Sequence, residues 1–399
     1  MAFSFKNLLP RKLVDFFSGK VFKPAVKKTS PAADRLLVDA IRLAELPSPA
    51  AQEEPRAAFV LERLKNMGFV PSVNEAGDIM VRLHSRKSVE EAPILLFADI
   101  GSERWHPVES LARLDAASAS GAGLCDSLGG AALLSIAENF EAALAKEINR
   151  DILLLFNLKA ADEPGDGFKS ILNDPKNRPF AAIGTRGFSL GKIIHSVGTY
   201  RVKIKVSGNN AAGAAEDRFP AGANRVTETL IDTARTLLGI TWDAQEKTKM
   251  FIRRIEAQAV YAHTPQEGEI ELEIESVDAA HLELAMNAVV ATTNKIGEKA
   301  ALAAETALLS YIPPGDPQAG APLFETLRKL FKDERLKVQE ESGCDPAAFF
   351  TAEGIPALSL GIALGREGKE KDVVSIDSLE KGSLVLQRLI KEIGKQNGA

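Results

Sequence analysis

Residues 93–130 limit the fold of this chain more than any other stretch. They begin with the apolar run PILLFADIGSE, which ends near Asp99, and continue through the glycine turn of GAGLCDSLGG, which contains Asp126. An apolar run bounded by turn residues predicts a buried parallel strand. An acidic residue between glycines, ahead of a helix that we expect to begin at Gly129 and Gly130, predicts a site residue on a tight loop. We therefore expect Asp99 and Asp126 at the end of a sheet, where α/β proteins bind ligands.

Apolar runs and amphipathic segments alternate along most of the chain. This alternation predicts an α/β fold, in which a mostly parallel sheet carries helices on both faces. The predicted strands are 69–73, 79–83, 95–97, 152–156, 181–183 and 357–360. The predicted helices are 32–46, a second that begins near Ser48 and ends at Gly68, 130–146, 322–331 and 378–393.

The pattern changes near Ser196. The segments TYRVKIKVSG, FIRRIEAQAVYA and GEIELEIESV alternate apolar and charged residues, which predicts half-exposed strands. Amphipathic helices are predicted over 224–238 and 279–296. We therefore expect an α+β sandwich over 196–310, inserted between two parts of an α/β domain, 31–195 and 311–399.

Composition and charge exclude several classes of protein. A net charge of −5 argues against a nucleic-acid-binding protein. The two cysteines are far apart in sequence, which predicts reduced thiols and a cytoplasmic protein. Residues 1–30 form a basic arm with seven Lys and Arg against one Asp. Because Pro10 interrupts any single amphipathic helix, we expect this arm to pack on its own domain or a dimer mate rather than on a membrane.

The stretch 93–130 resembles the core of the zinc-dependent hydrolases of metallopeptidase family twenty. That family includes aminoacylase, peptidase T, acetylornithine deacetylase and succinyl-diaminopimelate desuccinylase. The runs GIPALSLG and VVSIDSLEKGSLVLQRLI resemble the family's C-terminal pattern, and the likeness extends over nearly all of 31–399. It implies a hydrolase-like (phosphorylase/hydrolase-type) α/β domain, with the inserted sandwich as a lid that usually forms the homodimer interface.

The resemblance also implies a centre of two zinc ions with a bridging aspartate and a glutamate base. Asp126 takes the bridging position, and Asp99 takes the position of a histidine ligand. The family's other acidic and histidine positions fall on residues that can neither act as the base nor bind zinc. These are Gly101, Ala160, Ala161 and Thr185, with the final histidine position near Gly368 and the lid histidine position near Ala212. We therefore expect that no cofactor is bound and that the chain is a pseudoenzyme.

An alternative alignment, shifted by two residues, is compatible with an active enzyme. Asp162 would then be the base and Glu163 a metal ligand, while Glu367, Glu370 or Asp372 would replace the last histidine. Such an all-oxygen site favours magnesium, manganese or calcium over zinc. A divalent metal is therefore expected if the chain is active.

Two further segments resemble the family's substrate-binding loops. Asn224 lies in GANRV, and Gly343 and Asp345 lie in SGCDPAAF. The sequence therefore predicts a protein that binds a small peptide-like or acyl-amino-acid ligand, or that acts as a partner in a homodimer. The alternative is an active hydrolase of amide bonds in small peptides or N-acyl amino acids.

Overall fold

The computed structural model describes residues 30–47, 54–74, 77–88, 92–102, 106, 108–158, 165–208, 225–242, 247–257, 259 and 264–396. Asp162, Glu163, Asn224 and almost all of the basic arm therefore lie outside the described residues, as do Ala160, Ala161 and Ala212. Among the described helices, none is long and apolar enough to cross a membrane.

The described helices and strands follow one another in an alternating order. The helices are α1 (Pro31–Glu45), α2 (Glu54–Asn66), α3 (Leu124–Ala143), α4 (Asp166–Asn173), α5 (Arg225–Leu238), α6 (Ala279–Ala300), α7 (Pro317–Asp333), α8 (Ala348–Thr351) and α9 (Ile376–Gly394). The strands are β1 (Ser72–Val73), β2 (Ile79–Leu83), β3 (Ile94–Asp99), β4 (Arg113–Leu114), β5 (Ser118–Gly121), β6 (Ile152–Asn157), β7 (Ala181–Phe188), β8 (Lys192–Ser196), β9 (Gly198–Ser207), β10 (Thr248–Ala257), β11 (Glu267–Ser276), β12 (Ala303–Ile312), β13 (Gln339–Gly343), β14 (Ala357–Ala363), β15 (Gly365–Arg366) and β16 (Asp372–Ser375).

A six-stranded sheet in the order β1-β2-β6-β3-β7-β14 forms the centre of the fold. The last four strands are parallel, and β1 and β2 add an antiparallel edge. The predicted α/β fold with a mostly parallel sheet is therefore confirmed. Because parallel strands end at the same edge, β3, β6 and β7 bring their C-terminal residues together there.

Both faces of this sheet are covered, which explains the uninterrupted apolar runs of its strands. Successive residues of β3 point to opposite faces. Ile94 and Leu96 belong to a core cluster with α1, α3, α7 and α9. Leu95 and Phe97 belong to a second cluster with α4 and α8.

Helix α3 begins earlier than predicted. It starts at Leu124 rather than at the second glycine pair, so Asp126 lies in its first turn instead of on a preceding loop. The side chain of Asp372, from β16, accepts the N–H of Cys125 at 3.0 Å and so caps the helix from a distant strand. Gly129 and Gly130 lie inside the helix, where an added Cβ on Gly129 would be 2.4 Å from the Thr185 carbonyl oxygen. The pair therefore serves close packing and does not mark the start of the helix.

Helix α7 also begins before its predicted start at residue 322. The Asp316 side chain accepts the N–H of Gln318 at 2.9 Å, and Pro317 occupies the first turn. Aspartate at the N-cap followed by proline is a strong start signal, so the helix extends back to that point. The predicted strand 69–73 is shorter than expected, because only Ser72 and Val73 pair with β2.

A second sheet, in the order β10-β11-β9-β12, is fully antiparallel and packs against α5 and α6 around its own apolar cluster. Its other face pairs acidic residues of β11 with basic residues of the neighbouring strands. Glu273, for example, accepts from Arg201 at 2.9 Å and from Arg253 at 2.5 Å. The division of the chain at residues 195 and 311, and the role of this unit as a lid, stay predictions.

A buried ion pair joins α1 to α2. The guanidinium of Arg63 binds both carboxylate oxygens of Asp39, at 3.0 and 2.8 Å, and the Asp39 side chain is only 4% exposed. We expect Asp39→Ala to lower the free energy of unfolding by about 2 kcal/mol, because Arg63 loses both bonds to Asp39 and keeps only its 3.4 Å contact with Glu138. Urea denaturation measures this. Asp34→Ala, at an exposed position of α1, is the control, and an equal loss from both variants would contradict the prediction.

Candidate functional site

Asp99 and Asn157 end two neighbouring parallel strands. They are paired in register at the ends of β3 and β6, and Asn157 Nδ2 donates to Asp99 Oδ1 at 2.6 Å. Both side chains are half-buried at the C-terminal edge of the sheet. The structure therefore places Asp99 where the sequence predicted it, with a neutral amide as its hydrogen-bond partner.

Asp126 lies in the first turn of α3 and is also half-buried. Ser102, three residues beyond β3, donates its hydroxyl to Asp126 Oδ2 at 2.6 Å. Gly123 precedes the helix with φ 73°, and a Cβ there would be 3.0 Å from Ser102 Oγ. The predicted glycine turn is thus present, and it allows the serine to approach the carboxylate.

A buried arginine binds the backbone between Asp99 and Ser102. Arg56, on α2, is 0% exposed, and its Nη1 donates to the Ile100 carbonyl oxygen at 2.9 Å. Its Nη2 would be 3.6 Å from a Cβ on Gly123. The guanidinium therefore fixes the chain between Asp99 and Ser102, close to the start of α3.

A third carboxylate, Asp78, lies behind Asp99. It is wholly buried and accepts hydrogen bonds from Asn74 Nδ2 at 3.0 Å and from the Leu158 N–H at 2.9 Å. Burial raises the pKa of Asp78 above its ordinary value; the two hydrogen bonds offset part of this rise, and the charge of Asp99 adds to it. Asp78 thus anchors the backbone that follows Asn157.

Thr185 faces the core of the protein. It is 5% exposed, and its hydroxyl donates to the carbonyl oxygens of Gly129 at 3.0 Å and Phe97 at 3.3 Å. The side chain at this family ligand position therefore joins β7 to α3 and β3. Its neighbour Arg186 is half-buried on the other side of the strand, as the alternation of a strand requires.

Arg186 lies against the loop that contains Gly343 and Asp345. Its Nη1 is 3.4 Å from the Cys344 carbonyl oxygen. Burial raises the pKa of the Cys344 thiol, while the charges of Arg201 and Arg186 lower it in part. The Gly343 carbonyl accepts the Val197 N–H at 3.0 Å, and Asp345 is 0% exposed. Substrate binding by Gly343 and Asp345 stays a prediction, as it does for Asn224.

The acidic residues proposed to replace the last histidine take different positions. Glu367 Oε1 lies 3.4 Å from the Sγ of Cys125, the residue before Asp126. Burial raises the pKa of the Cys125 thiol, and the charge of Glu367 raises it further. Asp372 is wholly buried and caps α3. Glu370 is exposed. Of the three, Glu367 is therefore the best placed to act beside Asp126.

The described residues do not fit a centre of two zinc ions. Within the part of the chain that the structure describes, no group of three His, Cys, Asp or Glu side chains could hold a metal ion. Each of the four described histidines has a partner elsewhere: His84 with Asp151, His195 with Glu340, His281 with Asp278, and His106 with the N–H groups of Val108 and Glu109. Metal binding by Asp99 and Asp126, and the roles of Asp162 and Glu163, stay predictions.

Sequence reasoning missed five residues of this site: Asp78, Asn157, Ser102, Arg56 and Arg186. Asn157 could have been found, because it ends an apolar strand in the same way as Asp99. Ser102 follows β3 closely enough to be a candidate. Arg56 and Arg186 gave no signal, because an arginine in a helix or strand is ordinarily a solvated residue, and only the packing shows otherwise.

The same fold is found in solved structures of peptidases. The described structure is similar to the dipeptidase Dug1p of Saccharomyces cerevisiae, with a TM-score of 0.66 and 14% identity over 92% of this chain and 98% of that one. It is similar to the aminopeptidase PepT of Bacillus cereus, with a TM-score of 0.63 and 14% identity over 91% of this chain and 99% of that one.

A third similar structure is YxeP of Bacillus subtilis, described as a dinuclear metal-binding peptidase of family twenty. Its TM-score is 0.57, with 13% identity over 91% of this chain and 98% of that one. No protein-family model and no curated sequence matches the chain. The chain thus has the fold of these three peptidases over nearly the whole length of each.

Proposed function

We propose that this chain binds a small peptide-like or N-acyl-amino-acid ligand in the cleft at the C-terminal edge of its parallel sheet, without two-metal hydrolysis. One observation carries the proposal: Asp99 and Asp126 each accept a 2.6 Å hydrogen bond from a neutral donor, Asn157 or Ser102. An amide and a hydroxyl thus each bind one oxygen of a carboxylate, and Thr185, at a third ligand position, faces the core.

Arg186 is the residue that we propose binds the ligand's carboxylate. Its guanidinium has five N–H donors, which match a carboxylate in geometry and charge. In the structure it contacts a backbone carbonyl 3.4 Å away and remains half-buried at the cleft loop. Arg201 lies near the same loop, but its Nε donates to Glu273 at 2.9 Å. Arg186 is therefore the better candidate.

The test combines metal analysis, activity and binding. We expect protein purified without chelator to contain well under one metal ion per chain and to leave a panel of dipeptides and N-acyl amino acids uncleaved. We expect ligands with a free carboxylate to bind. Arg186→Gln should weaken that binding about 30-fold, because a charge-assisted hydrogen bond contributes about 2 kcal/mol to the binding free energy. Calorimetric titration measures the affinity, with Arg235→Gln, at an exposed site on α5, as the control.

Two results would contradict this proposal. The first is stoichiometric bound metal together with hydrolysis that disappears in Asp126→Ala. The second is unchanged affinity in Arg186→Gln, which would remove Arg186 from the ligand site.

An active hydrolase with a rearranged acidic site is the second candidate. The contact of Glu367 with the residue before Asp126 favours it, because it brings two carboxylates to the start of α3. Asp162 and Glu163 would supply the base and a further ligand, and a hard divalent cation such as manganese would suit the oxygen donors. Manganese-dependent cleavage that is lost in both Asp126→Ala and Glu367→Gln would select this candidate.

We also propose that the chain is a homodimer, joined through the antiparallel unit. Its edge strands β10 and β12 have exposed apolar side chains, among them Ile255 and Leu308. Sedimentation equilibrium measures the mass, and a monomer at micromolar concentration would contradict the proposal. A cytoplasmic location stays a prediction.

A further inference from the structure

The connections of the central sheet reverse direction at β3. In the strand order β6-β3-β7-β14, the chain runs from β3 to β6 on one side of β3, and the next strand, β7, lies on the other side. A parallel sheet has a crevice at such a reversal, beyond the C-terminal ends of its strands, and α/β proteins bind ligands there. The crevice between the ends of β3 and β7 is therefore the part of the sheet best shaped for a small ligand.

Asp99 and Arg186 lie on the two sides of this crevice. The pairing of β3 with β7 ends with Phe97 beside Gly184, and the same register places Asp99 opposite Arg186 two residues further on. Both strands extend to these residues. Neighbouring strands lie about 4.8 Å apart. The carboxylate and the guanidinium are thus attached to adjacent points on the edge of the sheet.

The side chains of Asp99 and Arg186 point to the same face of the sheet. Leu95 and Phe97, at alternate positions before Asp99, belong to the apolar cluster with α4 and α8, and so does Ala182, four residues before Arg186. Because successive residues of a strand alternate between faces, residues 99 and 186 share the face of that cluster. Both are half-buried, whereas the three cluster residues are buried. The two charges therefore reach the cleft from one face of the sheet.

Neither charged group lies in an ion pair with another residue that the structure describes. Asp99 Oδ1 accepts from the amide of Asn157 at 2.6 Å, which leaves Oδ2 without a hydrogen bond from the described part of the chain. Arg186 Nη1 contacts the Cys344 carbonyl oxygen at 3.4 Å, a long hydrogen bond to a neutral acceptor. A ligand that carries one positive and one negative group would pair with both charges, in charge-assisted hydrogen bonds.

We infer that this crevice binds a free α-amino acid, with its ammonium group on Asp99 Oδ2 and its carboxylate on Arg186. The two charged groups of such a ligand share one carbon atom, which suits an acceptor and a donor on adjacent strands. A dipeptide separates the two groups by a further residue, about 3.8 Å of backbone, and an N-acyl amino acid lacks the positive charge. The inference rests on the proposed function: it keeps Arg186 as the partner of the carboxylate and narrows the ligand class to free amino acids.

Calorimetric titration of the full chain with matched ligands tests the inference. The probes are L-alanine, L-leucine, L-phenylalanine and L-glutamate, each as the free amino acid, its N-acetyl derivative and its α-carboxamide, together with the dipeptide alanylalanine. We expect the amino acid that binds most tightly to lose about 30-fold in affinity on N-acetylation, because the acetyl group removes the charge that pairs with Asp99. Amidation of its carboxylate should cost a similar factor, because it removes the charge that pairs with Arg186.

Variants assign each charge of the ligand to its residue. Asp99→Asn should weaken binding of the free amino acid about 30-fold and leave binding of the N-acetyl derivative unchanged. Arg186→Gln should weaken binding of both. Asp232→Asn, at an exposed position of α5, is the control and should change neither. The ligand series needs only the unaltered chain, so the test stands even if the Asp99 variant fails to fold.

Three results would overturn the inference and leave the proposed function intact. The first is a free amino acid that binds no more tightly than its N-acetyl derivative, and the second is tighter binding of alanylalanine than of alanine. The third is an unchanged affinity for the free amino acid in a folded Asp99→Asn variant. If no probe with a free carboxylate binds at all, the inference and the proposed function both fail.

Discussion

Replacing Thr185 with glutamate is expected to lower the free energy of unfolding by about 4 kcal/mol. This substitution introduces the acidic residue that the resemblance to metallopeptidase family twenty implies at that position. The side chain at 185 faces two carbonyl oxygens and is 5% exposed, so the new carboxylate would be buried beside acceptors instead of reaching the cleft. Denaturation by urea, followed by circular dichroism, measures the loss.

Thr185→Val is the matched control, because it keeps the shape and removes the hydroxyl. It should cost about 1 kcal/mol for the lost hydrogen bonds to Gly129 and Phe97. If the glutamate variant were as stable as the valine variant and bound a divalent cation, the side chain would have to reach the cleft. The orientation described for β7 would then be wrong, and the proposal of a lost metal centre would lose one of its supports.

Replacing Gly382 with valine is expected to destabilise the chain by about 3 kcal/mol. Gly382 lies in α9, and a Cβ at this position would be 1.8 Å from the Ile362 carbonyl oxygen of β14. The obstacle is the backbone of a buried strand, which cannot rotate away as a flexible side chain can. The helix must therefore separate from the sheet, and its contacts with the main core are lost.

Glu380→Val, on an exposed position of the same helix, is the control. It introduces the same β-branched residue into the helix, at a cost of about 0.5 kcal/mol in helix propensity, without the clash. Equal midpoints of urea denaturation for the two variants would show that α9 does not pack on β14 as closely as described.

The position of Asp99 could be predicted because it follows from a local pattern: this residue ends an uninterrupted apolar run. For Asp126 the glycine turn before it could be predicted, but its place inside the first turn of α3 could not. The direction of Thr185 could not be predicted in the same way. Successive residues of a strand point to opposite faces of the sheet. An alignment that is wrong by one residue therefore places a side chain on the wrong face, even when it assigns the residue to the right strand. Here the packing of Gly129 on β7 decides that side.

The start of α3 shows a second limit. Two glycines indicated the beginning of a helix, yet the helix begins five residues earlier, at Leu124 rather than Gly129. The cap comes from Asp372, which is 247 residues away from Cys125 along the chain. No local window contains that partner, so local reasoning assigned the glycines to a boundary.

The alternating strands and helices, the mostly parallel sheet and the place of Asp99 at the end of a strand could all be predicted from the sequence. These features depend on residues that are near one another in the chain. Only the tertiary structure decided what the two carboxylates bind, because Asn157 is 58 residues from Asp99 and Ser102 is 24 residues from Asp126. It also decided that Asp345 is buried, since burial depends on the surrounding packing and not on the residue itself.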